Sequence, residues 1–383
     1  MSDLSRRSMI AGAAAAAPGL ALAADTKPLL GTPRSVITEP PRDFGPGAAP
    51  VFSPDPDVLR VDPSFGSLLI GQEVIRRLYT GLHLAEGPAW SNIGMYAIFS
   101  DVKNDTLYRY IWETGEVTVF RRPSFSTNGN SFDHQGRQLS TQDFFRRVVR
   151  WEWDGSMTVL ADQFDGKPLN SPNDLAPHKD GSVWFTDPQF GGNLAEGHPD
   201  QGDGPMNAGG VRDPNIGNTG VGIQKAGSLH QQLPMNVYRI DPSGKVEVAV
   251  PYEQGKAPNG ICFSPDYTKL YVIRGGGITV GDIRGTKVTN LREFTDCMVD
   301  GVRCGPDGMR ADRAGNIWCS SAAPLGYAGV TVWNPEGKLI GRIRLPEPCA
   351  NLCFAGPKRD HVFMTATQSI FMLRVNMQGA APG

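Results

Sequence analysis

Short apolar runs separated by polar turns fill most of the chain, and the clearest example spans residues 168–192. A polar turn at 171–174 precedes a short strand-like run, and a second turn at 179–181 precedes the β-branched and aromatic run 183–186. This alternation, with Asp-Gly at the second turn, is typical of a β-hairpin. Asn173 and Asp174 lie at the mouth of the predicted hairpin, where a rigid sheet can present polar side chains.

The same pattern recurs six times, and each repeat opens with a carboxylate or amide side chain, which we call a head residue. The head residues are Glu86, Asn128, Asn173, Asn259, Asp307 and Asn351. Four of the five spacings between successive heads lie between 42 and 48 residues, and the fifth, of 86 residues, contains an insertion. Repeats of about 40–50 residues are typical of β-propeller blades. Six heads therefore predict six blades.

Further strand-like runs within the repeats are each followed by a glycine-bearing turn and another β-branched run, which gives four strands per blade. The clearest of these runs are 108–112, 148–153, 237–241 and 330–334. The last repeat lacks a fourth strand, and we expect residues 74–79 to complete it and close the ring. The predicted fold is an all-β six-bladed β-propeller over residues 71–377. A β-sandwich or an open solenoid explains the recurring heads less well.

The first 24 residues have the composition of an export signal. Arg6 and Arg7 precede an alanine-rich apolar run that ends in small residues, an arrangement that resembles a twin-arginine signal peptide. We expect cleavage after Ala23 or Ala24 and export by the twin-arginine machinery to the periplasm or the medium. A retained membrane anchor is the alternative. No later apolar run approaches the roughly 20 residues of a membrane helix, so no membrane association is expected after cleavage.

Composition limits the partners of the mature chain. The 383 residues carry a formal net charge of −2, which argues against a nucleic-acid partner. Residues 25–70 are rich in proline and polar residues and are interpreted as an extended N-terminal arm. The glycine-rich insertion at about 190–234 is interpreted as a lid over the site, with a disordered or oligomer-contacting loop as the alternative. The sequence does not specify the oligomeric state.

All six cysteines lie in the last third of the chain. Export permits disulfides, and two pairs are close enough in sequence to form them, Cys297 with Cys304 and Cys349 with Cys353. The other two cysteines, Cys262 and Cys319, lie in apolar strand runs, where a buried thiol is expected. No Cys-x-x-Cys pair supports a zinc or thioredoxin-like site.

Loops that enter the first strands of propeller blades converge on one face, so the head residues are expected to meet there. The convergent set is Glu86, Asn173, Asn259 and Asp307, with Asn128 and Asn351 as additional members. Carboxylate and amide oxygens without His or Cys favour calcium over zinc, and magnesium is disfavoured because it resists dehydration. The alternative is that Asn and Asp are simply good turn formers. That alternative is weak for Glu86, because glutamate is a poor turn former.

Four motifs around the heads resemble the gluconolactonase / senescence marker protein / luciferin-regenerating enzyme (regucalcin-like) family over roughly residues 74–376. These motifs are residues 84–90, 173–174 together with 184–188, 258–260, and 306–309. The resemblance implies a six-bladed propeller with one divalent metal in its channel. It implies metal ligands at Glu86, Asn259 and Asp307, with Asn173 as a further ligand or a substrate contact. The family includes lactonases, and its distant relatives include phosphotriesterases and carbon–carbon bond-forming synthases, so the fold alone does not fix the reaction.

The predicted reaction is hydrolysis of a lactone, sugar-type or related, to its hydroxy acid. Calcium is expected to polarise the carbonyl, and Asp307 to take the proton of the attacking water, with Asp174 as the alternative acceptor. Glu86 is the second carboxylate assigned to catalysis. No Gly-x-Ser-x-Gly nucleophile motif is present.

Five residues are expected to contact the substrate: Asn173, Asp174, Ser171, Gln189 and Arg274. Arg274 follows the second strand of its blade, and it is expected either to bind an anionic substrate group or to be a surface arginine. Two other functions remain open. One is a non-hydrolytic binding propeller that uses the metal only to hold its channel together, and the other is a phosphotriester or other ester hydrolase on the same site.

Overall fold

The strands that the sequence predicts form six antiparallel sheets arranged as a ring of blades. The computed structural model describes residues 42–45, 47–49, 53–190 and 231–380. Within this part of the chain it is a six-bladed β-propeller, which confirms the predicted fold class. The predicted signal peptide and most of the glycine-rich insertion, residues 191–230, lie outside the described residues.

The blades follow one another in chain order. Blade 1 comprises Ala85–Ser91, Tyr96–Asp101, Thr106–Ile111 and Val117–Arg121. Blade 2 comprises Thr127–Phe132, Gln138–Gln142, Arg147–Trp151 and Met157–Ala161. Blade 3 comprises Leu175–Pro177, Val183–Thr186, Val237–Ile240 and Val246–Val250. Blade 4 comprises Pro258–Phe263, Lys269–Arg274, Gly277–Arg284 and Lys287–Thr295.

Blades 5 and 6 both take strands from the N-terminal part of the chain. Blade 5 comprises Met309–Ala311, Ile317–Ser321, Gly329–Trp333, Leu339–Arg344 and the N-terminal strand Val58–Arg60. Blade 6 comprises Cys349–Ala355, His361–Ala366, Ser369–Arg374 and the N-terminal strand Arg76–Thr80. The short elements outside the blades are the hairpins Gln163–Phe164/Lys167–Pro168 and Met298–Val299/Val302–Arg303 and the 3-10 helices Pro63–Leu68 and Val102–Asn104.

The ring closes as predicted, because Arg76–Thr80 pairs antiparallel with Ser369–Arg374. Blade 6 therefore contains one N-terminal strand and three C-terminal strands, and their hydrogen bonds join the first and last parts of the ring. Hydrophobic clusters lie between successive blades, and the cluster between blades 5 and 6 contains Trp318, Phe354 and Phe371. Burial between the blades, rather than within one sheet, therefore stabilises the ring.

The hairpin turn after Arg274 shows how local sequence sets the strand ends. Gly275 and Gly276 have φ of 61° and 84°, and Arg274 pairs with Gly277 across them. Two consecutive positive φ angles define the two-residue turn whose twist matches that of the strands, and glycine adopts them without strain.

The N-terminal arm packs against the propeller along part of its length. Val58–Arg60 extends blade 5 by pairing with Leu339–Arg344, and the Phe65 ring, fully buried, lies 5.8 Å from the Trp318 ring centroid. No sequence pattern marks this fifth strand, since three residues are too few to show a period of two.

A buried ionic network anchors the arm. Asp57 contacts Arg42 at 2.7 Å and Arg344 at 2.8 Å, and the side chains of Asp57 and Arg344 have no exposed surface. Asp55 contacts Arg42 at 2.6 Å and accepts a hydrogen bond from the Ile75 backbone at 2.8 Å. Charges buried this deeply are tolerated only when they are paired.

Replacing Asp57 by Ala is expected to lower the free energy of unfolding by about 3 kcal/mol, because it leaves Arg344 buried without its carboxylate. Chemical denaturation of the variant and the wild type measures this difference. The matched control is Lys338→Ala, which removes the ion pair between Asp62 and a lysine side chain that is 67% exposed, and should leave the stability nearly unchanged. Equal effects of the two substitutions would contradict the role given to the network.

The six cysteines are all free and buried, as expected for Cys262 and Cys319. The two disulfides considered from sequence spacing are not formed. Cys349 and Cys353 lie four residues apart on one strand, so their Cα atoms are about 13 Å apart, too far for a disulfide. In the described ranges we find no helix whose length and apolar character would let it cross a membrane.

Candidate active site

Four head residues lie where the innermost strands of their blades begin, at one end of the channel. Glu86 is the second residue of Ala85–Ser91, and Asn259 is the second of Pro258–Phe263. Asn173 and Asp307 each precede their strand by two residues. The innermost strands run in the same direction, so these side chains share one face of the ring, as the sequence predicts.

Glycines that follow the heads let the innermost strands approach closely. The Gly260 amide donates to the Asp307 carbonyl at 2.8 Å, and the Gly129 amide donates to the Asn173 carbonyl at 3.0 Å. A Cβ atom on Gly260 would lie 2.2 Å from the Asp307 carbonyl oxygen, which no side chain tolerates. The glycine that follows four of the six heads therefore sets how closely the innermost strands approach one another. This repeated glycine is visible in the sequence, but it was not among the features used to predict the site.

Glu86 is held in place at one oxygen. Its Oε2 accepts hydrogen bonds from the Gly87 amide at 2.6 Å and from Asn351 Nδ2 at 3.1 Å. Asn351, a head residue of blade 6, is thus a positioning residue for Glu86. Burial, and then the neighbouring charge of Asp307, raise the pKa of Glu86 well above its usual range.

Asn259 supplies an oxygen with no partner. Its Oδ1 is buried and accepts no hydrogen bond within the described structure. A buried amide oxygen left unsatisfied costs free energy, so this atom is available to a ligand that enters the channel. It belongs to the same set of heads as the two mutually repelling carboxylates, Glu86 and Asp307.

The donor set at the heads fits a hard divalent cation. No group of three or more His, Cys, Asp or Glu side chains with the geometry of a metal site occurs among the residues that the structure describes. The heads combine two carboxylates with amide oxygens, the ligands that calcium prefers and zinc does not. Asp307 and Asn259 are partly exposed, whereas Glu86 and Asn173 are buried, so the site is open on one side.

Asp174 is buried next to the head residue Asn173 and contacts a residue that the sequence analysis missed. Its carboxylate is 3.5 Å from the guanidinium of Arg310, and both side chains are more than nine-tenths buried. It also accepts hydrogen bonds from the amides of Leu175 at 2.8 Å and Ile261 at 3.4 Å. Burial raises the pKa of Asp174, and Arg310 opposes that shift.

We call this pair the Asp174–Arg310 clasp. Through Leu175, Ile261 and Arg310 it joins the innermost strands of blades 3, 4 and 5, which carry Asn173, Asn259 and Asp307 respectively. The clasp therefore fixes the relative positions of three predicted ligands. The direct substrate contact and the alternative proton-acceptor role expected for Asp174 stay predictions, and its carboxylate is occupied by these partners.

The remaining predicted substrate contacts lie at different depths. Ser171 is buried, and its amide donates to Asp187 at 2.8 Å. Gln189 is exposed and donates to Gln231 at the far side of the insertion. Arg274 is buried and pairs in register with Pro258, the neighbour of Asn259. None of these three roles is tested by the structure, so each stays a prediction.

Asp187 is a second buried carboxylate that the sequence analysis did not single out. It accepts hydrogen bonds from the amides of Asn170 and Ser171, each at 2.8 Å, and so holds the loop that leads to Asn173. Burial raises the pKa of Asp187 to about 7. Two sequence signals could have found it: its place directly after the run 183–186, and its membership of the motif 184–188.

Comparison with known proteins relates this arrangement to one family. The family model described as the SMP-30/Gluconolactonase/LRE-like region matches residues 84–368. A gluconolactonase from Zymomonas mobilis is 27% identical over 349 residues, covering 84% of this chain and 87% of that protein.

Solved structures show the same relationship. A gluconolactonase from Xanthomonas campestris superimposes with a TM-score of 0.68 at 28% identity, covering 87% of this chain and 98% of that one. The calcium-binding protein regucalcin from Agrobacterium tumefaciens superimposes with a TM-score of 0.60 at 20% identity, covering 80% and 95%. At that identity the second likeness concerns the fold alone.

Proposed function

Because the chain belongs to the SMP-30/gluconolactonase/LRE-like family and is a lactone-hydrolysing ester hydrolase, we propose that it opens a sugar-type lactone with the help of one divalent cation, calcium being the preferred ion. The observation that carries the proposal is the unpartnered Asn259 Oδ1 at the same end of the channel as the carboxylates of Glu86 and Asp307. A cation there would satisfy the amide oxygen and neutralise two repelling charges.

Glu86, Asn259 and Asp307 would hold the cation, with Asn173 as a fourth ligand or a substrate contact. When bound, a divalent cation supplies positive charge that polarises the lactone carbonyl and stabilises the oxyanion. The regucalcin relative is described as calcium-binding, which supports a cation of this type in the fold.

The chain's own residues supply positioning and proton transfer. Asp307 is the more exposed of the two carboxylates at the heads, so it can reach a water molecule and accept its proton. Glu86 keeps a fixed orientation because Asn351 and the Gly87 amide hold its Oε2. After attack on the carbonyl carbon, the bond from that carbon to the ring oxygen breaks, the ring oxygen takes a proton, and a hydroxy acid leaves.

The test is proton release from a panel of lactones, measured on chelated protein and again after calcium is returned. The panel includes glucono-1,5-lactone, other aldonolactones, γ- and δ-alkyl lactones and dihydrocoumarin. We expect hydrolysis that depends on the cation and is fastest with an aldonolactone. Hydrolysis of alkyl lactones alone would overturn the sugar-type substrate. A folded, cation-loaded protein that hydrolyses none of them would favour a phosphotriester substrate or a binding propeller.

Cation affinity should rise with pH, because the cation must displace the proton that Glu86 holds. The pKa of Glu86 is raised, so in the cation-free protein the folded state keeps this proton at pH values where the unfolded chain has lost it. The Glu86 contribution to the stability of the cation-free protein therefore falls as pH rises from about 4.3 towards the raised pKa.

In that window the affinity for calcium should increase by up to about tenfold per pH unit. Calorimetry at several pH values in buffers of different ionisation enthalpy measures both the affinity and the proton released. The Glu86→Gln variant should release no such proton. An affinity that is flat across the window would contradict the assignment.

We also propose that the protein is exported by the twin-arginine machinery, a proposal supported by the sequence of residues 1–24 alone. Replacing Arg6 and Arg7 by Lys should hold the protein in the cytoplasm, as cell fractionation and the size of the uncleaved chain would reveal. Unchanged export and cleavage of that variant would exclude the twin-arginine route.

A further inference from the structure

A cavity of about 480 Å³ opens beside blade 4, at the end of the blade where Arg274 pairs with Pro258. Its walls come from the loop before blade 4, the turn after Arg274, the third and last strands of the blade, and the segment that follows the last strand. The residues that line it include neither Glu86, Asn173 nor Asn259, and Asp307 is absent from it as well. The cavity is therefore distinct from the candidate active site.

Arg274 forms a buried part of the cavity wall, and its charge is only partly neutralised. Its side chain is 4% exposed, and its ion-pair partner among the described residues is Glu253, 3.5 Å away and itself 57% exposed. Glu253 is shared with Lys256, which lies closer, at 2.7 Å. Burial lowers the pKa of Arg274 despite the charge of Glu253, as expected for a cation with too little compensation.

Arg303 adds a third cation from a separate segment. Its guanidinium donates to the Gly276 carbonyl at 3.2 Å, and it forms no ion pair with the residues that the structure describes. Four cations, Lys256, Arg274, Arg292 and Arg303, thus line the cavity against three carboxylates, Glu253, Glu293 and Asp296. Of these cations, Lys256 and Arg274 pair with Glu253. Guanidinium groups in such a position bind carboxylate or phosphate groups strongly.

The rest of the wall limits the kind of anion that fits. Glu293, Asp296 and Arg292 also line the cavity. The two carboxylates would repel a compact polyanion, but they accept hydrogen bonds from hydroxyl groups. A volume of about 480 Å³ is within the usual range of small-molecule sites, roughly 300–1,000 Å³.

We propose that this cavity binds a small polyhydroxylated anion, a sugar acid or a sugar phosphate, with its anionic group on Arg274 and Arg303 and its hydroxyl groups on Glu293 and Asp296. Binding itself does not depend on the proposed reaction. If that reaction is correct, an aldonate is its product, and the cavity is a product-binding site; this last step rests on the proposed function. Because Arg274 pairs with Pro258, an occupied cavity lies next to the strand that carries Asn259.

The experiment is calorimetric titration of the chelated protein with gluconate, glucose 6-phosphate, inorganic phosphate and the neutral polyol sorbitol. Chelation removes the cation and with it most binding at the heads. We expect one equivalent of gluconate or glucose 6-phosphate to bind, with the tighter of the two identifying carboxylate or phosphate as the preferred anionic group, and no binding of sorbitol. Arg274→Gln and Arg303→Gln should each weaken binding about tenfold or more, the usual effect of losing a hydrogen bond between charged groups.

Two controls separate the cavity from the active site. Asp307→Asn should bind the anion as the wild type does, and so should Arg284→Gln, which removes an exposed arginine at the other end of blade 4. If Arg274→Gln does not fold, as judged by thermal melting, Arg303→Gln carries the test. Binding that survives both arginine substitutions, or is lost in Asp307→Asn, would overturn the proposal. So would phosphate binding as tightly as glucose 6-phosphate, or no binding of either sugar anion.

Discussion

The Glu86→Gln variant should fold normally yet lose about 10³-fold in kcat/KM for the best lactone, close to the loss seen when one preorganised group is removed from an active site. Glutamine keeps the shape and can still accept a hydrogen bond from the Gly87 amide, but it removes one of two negative charges at the proposed cation site. Steady-state kinetics at saturating calcium, together with calorimetric calcium binding, measure the change.

Stability provides the control for this variant. Burial and the Asp307 charge both disfavour ionised Glu86, so the cation-free variant should be at least as stable as the cation-free wild type near neutral pH. Asn351→Ala is a matched positioning variant, since it removes one hydrogen bond to Glu86 but neither carboxylate. We expect it to lose roughly 10–100-fold in calcium affinity or activity. A Glu86→Gln enzyme with wild-type turnover would contradict the role assigned to Glu86.

Arg310→Met should lower the free energy of unfolding by about 3–5 kcal/mol and weaken calcium binding about 10–100-fold, although Arg310 is not a predicted ligand. Removing the arginine leaves Asp174 buried without its cation and loosens the link between the innermost strands of blades 3, 4 and 5. Denaturation and calcium calorimetry on the same preparations measure the two effects.

A double-mutant cycle distinguishes the clasp from simple loss of packing. Adding Asp174→Asn to Arg310→Met removes the buried carboxylate that has lost its arginine partner, so part of the lost free energy of unfolding should return. Calcium affinity should stay low, because the neutral pair no longer joins the three strands with charged contacts. If the two substitutions are strictly additive in stability, Asp174 and Arg310 do not act as a pair.

The ring could be predicted because each blade repeats the same short sequence pattern. Each head opens a strand, and the spacing of the heads is set by the length of one blade, so Glu86, Asn259 and Asp307 could be placed on one face without coordinates. The closing strand was equally accessible, since the last repeat is one strand short and residues 74–79 have strand-like composition. The resemblance to the family then pointed to the same residues.

The supporting contacts could not be predicted, because they join parts of the chain that only ring closure brings together. Asn351 and Glu86 are 265 residues apart in sequence, and no periodicity links them. The Asp174–Arg310 clasp spans two blade boundaries, and the choice of partner for a buried arginine depends on packing between blades. The short strand Val58–Arg60 was missed because three residues show no period, and the buried pair Asp57 and Arg344 that adjoins it joins distant parts of the chain.

The measurement that tests the central claim most directly is titration of calcium into cation-free wild-type protein, with bound calcium and the rate of aldonolactone hydrolysis recorded on the same sample. The account predicts that the rate rises in proportion to bound calcium and levels off at one equivalent, and that Asp307→Asn shows neither tight binding nor the rise. Full hydrolysis by the cation-free protein, or one tightly bound equivalent without hydrolysis, would contradict it.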